Sequence, residues 1–295
     1  MRRYEFVTVD VFTDRRFGGN PLAVFPDARG LTDEEMQKLA AEMNLSETSF
    51  VLPPGSDRNT ARVRIFNRTA EMPFAGHPNV GTGFVLAGRD PGLGAVLRFE
   101  EIAGLVEVRP VREADGTVSG AEIDAPQALQ ILSSMPAEGV AGCIGLPAGS
   151  IIERAHPPLR ATMGVDFVIV EVEGGALSLA TPVLAAFQAL ADSEGLSGDR
   201  LSILLYAQDE GAIRSRMFAP LSGTWEDPAT GSANAILGAL LLSLGDSAGA
   251  AYEITQGTEM GRESRLRVSA RRTADGIRAS VAGGCVEVLR GEATV

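Results

Sequence analysis

Apolar and polar residues alternate along Glu5–Phe12, with valine at 7, 9 and 11, the period-two pattern of a half-buried strand. Between Asp33 and Met43 the period lengthens, and Met36, Leu39, Ala40 and Met43 fall on one helical face. Thr32, with Glu35 three residues later, supplies a capping box that opens this helix. Ser49–Leu52 and Ala61–Phe66 read as further strands, and Pro78–Ala87 as a second helix after a loop rich in proline and glycine. Far downstream, Ala233–Leu244 is apolar nearly all round, and a helix with no polar face has to be buried. Gly88–Ala125 carries turn signals at Asp90-Pro91-Gly92 and Asp115-Gly116 and reads as closing strands. Glu253–Val295 has the alternation of more strands, one of which could return to the first half.

The pattern repeats once. Met36-Gln37 and Leu39-Ala40 match Phe187-Gln188 and Leu190-Ala191 at a separation of 151, as Leu45-Ser46 matches Leu196-Ser197. Arg64 and Phe66 match Arg216 and Phe218 at 152, while Glu71, Pro73, Gly76 and Asn79 match Glu226, Pro228, Gly231 and Asn234 at 155. Four matches in the same order, with an offset that drifts by only four residues, point to a duplication with small loop insertions. The expected architecture is therefore α+β, with two similar halves at 1–125 and 126–295. Each half is expected to wrap a curved, mainly antiparallel sheet around one central helix.

Composition narrows the chemistry. At 295 residues there is material for two cores, and 45% hydrophobic with 22% charged residues is an ordinary globular balance. The longest apolar run, Ala235–Leu244, is too short to span a bilayer, and Glu5 and Asp10 interrupt what would have to be an uncharged leader segment. A net charge of −12 argues against nucleic acid and anionic membranes as partners. Cys143 and Cys285 form neither a metal spacing nor a disulfide framework, which fits a reducing, cytoplasmic setting. With only His77 and His156 as histidines, no metal site is expected. The single lysine, Lys38, points away from the apolar face of its helix, so Schiff-base chemistry with pyridoxal is not expected either.

Both halves place a glycine ahead of the buried helix, in Phe74-Ala75-Gly76-His77-Pro78-Asn79 and in Ala229-Thr230-Gly231-Ser232-Ala233-Asn234. A helix start offers unpaired N–H donors and the positive end of the helix dipole, which suit a carboxylate or enolate. Two related halves meeting across a pseudo-twofold axis would point both starts at the same gap. The copies differ at four polar positions, Glu47, His77, Asp227 and Ser232, and such asymmetry suits a reaction whose two sides need different acid/base groups. Each also has a structural reading: Glu47 as a solvated residue at a strand entrance, His77 as a partner of its helix start, Asp227 as a turn residue and Ser232 as a cap. Gly18-Gly19-Asn20-Pro21 reads as a tight turn, and Gln256-Gly257 as a hairpin bend.

Taken in order, Asp10-Val11-Phe12-Thr13, Phe17-Gly18-Gly19-Asn20-Pro21, Asn44-Leu45-Ser46-Glu47-Thr48, Pro73-Phe74-Ala75-Gly76-His77-Pro78, Glu226–Ala233 and Gln256-Gly257 resemble the PhzF-like isomerases of phenazine biosynthesis, which share the diaminopimelate epimerase-like fold. The resemblance runs from about Phe6 to about Val286. It implies a cofactor-free isomerase, commonly a homodimer, acting on a small conjugated or amino-acid-like carboxylate. It also implies Glu47 as proton shuttle with His77 and Asp227 beside it, and Ser46, Gly76, Gly231 and Ser232 as substrate-binding positions. Epimerases of this fold use one cysteine from each half; here Ala75 and Thr230 stand in those loops. A two-thiol racemisation is thus not expected. Two other readings stay open: an epimerase or racemase that does not use paired cysteines, and a non-catalytic small-carboxylate-binding protein.

Overall fold

The structure is a computed structural model that describes residues 1–196, 201–209 and 211–295. Ser197 and Gly198, the repeat partners of Ser46 and Glu47, lie outside the described residues. Contacts divide the chain into Met1–Asp124 with Ala282–Val295, and Ala125–Val281. The terminal segment, which the sequence left open between the two halves, therefore packs with the first unit.

In the first unit the elements are β1 (Arg3–Val11), β2 (Asn20–Phe25), α1 (Asp33–Met43), β3 (Glu47–Leu52), β4 (Ala61–Phe66), β5 (Glu71–Met72), α2 (Gly76–Arg89), β6 (Leu97–Glu101), β7 (Gly104–Arg112) and β8 (Val118–Asp124). The second holds β9 (Gln130–Ser134), α3 (Ala137–Cys143), β10 (Leu159–Thr162), β11 (Asp166–Glu171), α4 (Gly174–Leu177), α5 (Leu184–Ser193), β12 (Ile203–Asp209), β13 (Ala212–Ala219), β14 (Thr224–Asp227), α6 (Gly231–Ser243), β15 (Gly249–Gln256) and β16 (Ser264–Thr273). The last strand, β17 (Gly276–Thr294), contributes to both, and its C-terminal part runs antiparallel to β1.

The two units share their wiring. In the first, β2 and β3 are parallel, β3 and β4 form a hairpin, β4 and β6 are parallel, and β6 pairs antiparallel with β7. In the second, β11 and β12, β12 and β13, β13 and β15, and β15 and β16 repeat those four relations. Side chains repeat as well. Arg64 pairs with both carboxylate oxygens of Glu71 and lies over the Phe66 ring, and Arg216 does the same with Glu226 and Phe218. Gly83 in α2 and Gly238 in α6 each let a valine of the surrounding sheet, Val108 or Val268, close in on the helix; a Cβ at either glycine would sit 2.5 Å from the valine methyl.

Each sheet surrounds its helix. The helix α2 touches β1, β2, β3, β7 and β8, and α6 touches β11, β15 and β16. Ten residues of α6 are buried, from Gly231 to Leu242, as its nearly all-round apolar character requires. Outside the first sheet, α1 buries Met36 and Ala40 against Phe25, Phe50 and Phe66, with the Phe25 and Phe50 rings stacked at 4.9 Å. The capping box at Thr32 and Glu35 is formed in both directions. Lys38 is exposed and paired with Glu34. Among the described residues no helix is long and apolar enough to cross a membrane.

Candidate active site

Glu47 is placed by the turn that ends α1. Asn44 caps that helix in the left-handed conformation (φ 53°), Leu45 and the half-buried Ser46 follow, and Glu47 opens β3. The parallel pairing of β3 with β2 then sets Glu47 opposite Leu22, two residues beyond Asn20. His77 is the second residue of α2, and its Nε2 lies 3.4 Å from Glu47 Oε2. The Glu47 side chain is 17% exposed and that of His77 only 6%.

At that distance Nε2 and the carboxylate approach one another without hydrogen-bond geometry, and Nε2 has no hydrogen-bond partner. On the other edge of the ring, the Asn20 amide nitrogen is 3.3 Å from Nδ1. Burial pushes the His77 pKa down to about 3, against a small opposing pull from the Pro21 carbonyl. The ring is therefore neutral across the physiological range: it can donate a hydrogen bond to an oxygen without bringing a charge.

In the second unit Asp227 ends β14 and is buried. Its carboxylate accepts from Thr230 Oγ1 at 2.6 Å. Gln256 ties this loop together: its amide nitrogen donates to the Asp227 carbonyl at 2.7 Å and to Thr230 Oγ1 at 3.1 Å. Its oxygen accepts from the Thr230 N–H at 3.1 Å and from Asn234 Nδ2 at 2.7 Å. Gly231 opens α6, and Ser232, half-buried, is the next residue. No side chain caps the start of α2 or of α6, since Ala75 has none to offer and the Thr230 hydroxyl is committed to Asp227 and Gln256. The first-turn N–H groups behind Gly76 and Gly231 thus suit an anion.

Of the residues expected from sequence, Glu47, Ser46, Gly76 and His77 cluster in the first unit, and Asp227, Gly231 and Ser232 in the second. Asn20 and Gln256 went unrecognised. Asn20 is no mere turn residue: it opens a strand and meets His77, after a Gly19 whose φ of +63° and 2.3 Å approach to the Val11 carbonyl exclude any Cβ. Gln256 does precede a bend, with Gly257 at φ +77°, yet it is fully buried and makes four hydrogen bonds. Replacing Gln256 by leucine strands the Thr230 N–H and one N–H of the Asn234 amide, whose nitrogen still donates to the Thr230 carbonyl, each costing about 1–3 kcal/mol. Gln256→Leu is accordingly expected to lose about 2–3 kcal/mol of unfolding free energy in urea titrations, whereas a surface glutamine would lose almost nothing.

Neither cysteine belongs to these clusters. Cys143 is in α3 and Cys285 in β17, and burial raises both thiols, Cys143 to about 12. Among the described residues no group of three or more His, Cys, Asp or Glu is arranged to hold a metal ion.

Comparison with known proteins decides the family, because the model of phenazine biosynthesis-like proteins matches residues 9–291. The chain belongs to this family. A trans-2,3-dihydro-3-hydroxyanthranilate isomerase of Pseudomonas aeruginosa is 36% identical over 269 residues, covering 89% of each chain. An uncharacterized isomerase of Mesorhizobium japonicum is 36% identical over 284 residues, covering 91% of each. Among solved structures, a PhzF-family phenazine biosynthesis protein of Bacillus anthracis superposes with a TM-score of 0.87 at 27% identity, covering both chains completely. A hydroxyproline epimerase of Agrobacterium vitis shares the fold, with a TM-score of 0.66 at 14% identity over 99% of this chain and 92% of that one. The protein is thus a PhzF-like isomerase of diaminopimelate epimerase-like fold.

Proposed function

We propose that this PhzF-like isomerase shifts a proton between two carbons of a small conjugated carboxylate, with Glu47 carrying the proton and no cofactor taking part. The relatives named as dihydro-hydroxyanthranilate isomerases make that ring acid the first substrate to try. The observation that carries the reading is the Glu47 carboxylate, largely withdrawn from water, 3.4 Å from the Nε2 of a neutral His77.

The Glu47 carboxylate takes a proton from a carbon acidified by conjugation, and the electron pair moves into the conjugated system. Glu47, now a neutral acid, returns the proton to a second carbon, so the formula is unchanged and the double bond has moved. His77 donates a hydrogen bond to Glu47 or to substrate oxygen and, being neutral, leaves the carboxylate free to act as a base. Asp227 steadies a substrate amine or displaced charge, while Ser46, Ser232 and the N–H groups at Gly76 and Gly231 are its other proposed substrate contacts. Because the transferred proton stays on one carboxyl group, neither a metal nor an organic electron sink is needed.

Purified protein incubated with trans-2,3-dihydro-3-hydroxyanthranilate is expected to convert it, followed by ultraviolet absorbance and proton NMR. Binding of this acid and of a panel of small amino and hydroxy acids without conversion of any would contradict the reading. Loss of chirality at a single carbon would turn it into an epimerase.

A further inference from the structure

Glu101 closes β6, and the duplication gives it a counterpart. Strand β6 runs parallel to β4 with Arg62 opposite Glu100, and β15 runs parallel to β13 with Arg214 opposite Thr255. One residue further on, Gln256 lies opposite Ser215, and the same register brings Glu101 level with Val63. Both strands then turn into an antiparallel partner, β7 or β16. Glu101 therefore occupies, in the first unit, the place of the amide that ties the Asp227–Thr230 loop to α6 in the second.

The surroundings of Glu101 are those of an uncharged group. Both carboxyl oxygens are buried and neither makes a hydrogen bond of full geometry. Beside them sits Asn79, the repeat partner of Asn234; its amide nitrogen donates to the Ala75 carbonyl at 3.0 Å, and its Oδ1 has no hydrogen-bond partner. In the second unit the equivalent Oδ1 accepts from the Ser215 hydroxyl at 3.1 Å, but Val63 stands at that position here. A carboxylate offers only acceptors and cannot serve Asn79 Oδ1, whereas a carboxylic acid has the O–H that can.

We propose that Glu101 keeps its proton at neutral pH and acts as a positioning residue, an acid standing in for an amide and bracing through Asn79 the helix start that carries His77. Burial raises the Glu101 pKa to about 8, with Asn79 pulling weakly the other way. Among the described residues no cation offsets this. Arg64 of β4 shares a 310 Å³ pocket with Glu101 but is committed to Glu71 of β5 and Asp33 of α1. Arg62 of β4 acts on Glu100, whose own carboxylate is held by Asn59 and the Gly55 and Ser56 N–H groups. On α2, His77 is neutral, and on β7 the residue facing Glu101 is Gly104.

The folded-state pKa lies above the ordinary carboxyl value, so the unfolded chain releases this proton first. Stability is then lost as pH rises from about 4.5 to about 8, and no more is lost above that. Glu101→Gln abolishes the titration. Its melting temperature is expected to exceed that of the wild type by a margin that widens from pH 5 to pH 8 and then levels off. Glu101→Leu, which removes the donor as well as the charge, controls for simple relief of burial. A margin that stays constant over this range would overturn the proposal, since Glu101 would then be ionised throughout. This arm needs no substrate and stands even if the proposed reaction is wrong. A second arm rests on that reaction: the ratio of variant to wild-type kcat is expected to rise about ten-fold between pH 7 and pH 9, as for one ionisation centred near 8. A flat ratio beside a widening margin of stability would contradict the bracing role and leave only the buried proton.

Discussion

Glu47→Gln is expected to lower kcat by about 10²–10⁴-fold, the usual contribution of a positioned acid/base group. The substitution keeps the shape of the side chain and its capacity to meet His77 Nε2, and removes only the ability to take up and return a proton. KM is therefore expected to change far less than kcat, because the lost interaction exists only while the proton is in flight. Steady-state rates on the converted ring acid test this, with the melting temperature as a control for folding. Glu47 sits at the first position of β3 with its side chain 17% exposed, so the amide introduces no new buried charge. A variant retaining more than a tenth of wild-type kcat would remove Glu47 from the mechanism.

Arg216→Met is expected to cost about 3–5 kcal/mol of stability, the penalty for breaking a buried ion pair from one side. The guanidinium is 7% exposed and bonds Glu226 through Nε at 2.8 Å and Nη2 at 2.9 Å. Through Nη1 it also binds the Leu177 and Ala180 carbonyls at 3.0 and 2.8 Å, joining the region of α4 to β13 and β14. Methionine fills part of the volume but leaves the Glu226 carboxylate, 13% exposed, without its main partner. Urea unfolding measures the loss, and a cost below about 1 kcal/mol, the general ceiling for a solvent-exposed ion pair, would show that water reaches Glu226 freely. Glu226 immediately precedes Asp227, so activity is expected to fall together with stability.

Local rules made the helices readable. Thr32 and Glu35 announce α1 because a capping box involves residues only three apart, and the structure forms both of its hydrogen bonds. The nearly all-round apolar character of Ala233–Leu244 places a helix inside a sheet whatever that sheet's order. Ladders between distant strands were not readable. Asn20–Phe25 is a strand because it pairs with Val7–Val11 on one edge and Glu47–Phe50 on the other, while its own opening, Gly-Asn-Pro, signals a turn. Gln256 was hidden for a similar reason: beside Gly257 it looks like part of a bend, and its four bonds reach residues 22 to 29 positions away. A signal for it did exist in the spacing of 155 to Glu101, a conversion of amide to acid on the face that carries Leu97 and Phe99 in one strand and Tyr252 and Ile254 in the other.

Glu47 as the carrier of the proton is tested most directly by wash-in of solvent deuterium, comparing wild type with Glu47→Gln at equal substrate occupancy in heavy water. The wild type is expected to place deuterium at the carbon that gains the proton, and the variant to show exchange no faster than the uncatalysed background. Wash-in by Glu47→Gln at the wild-type rate would mean that another group moves the proton.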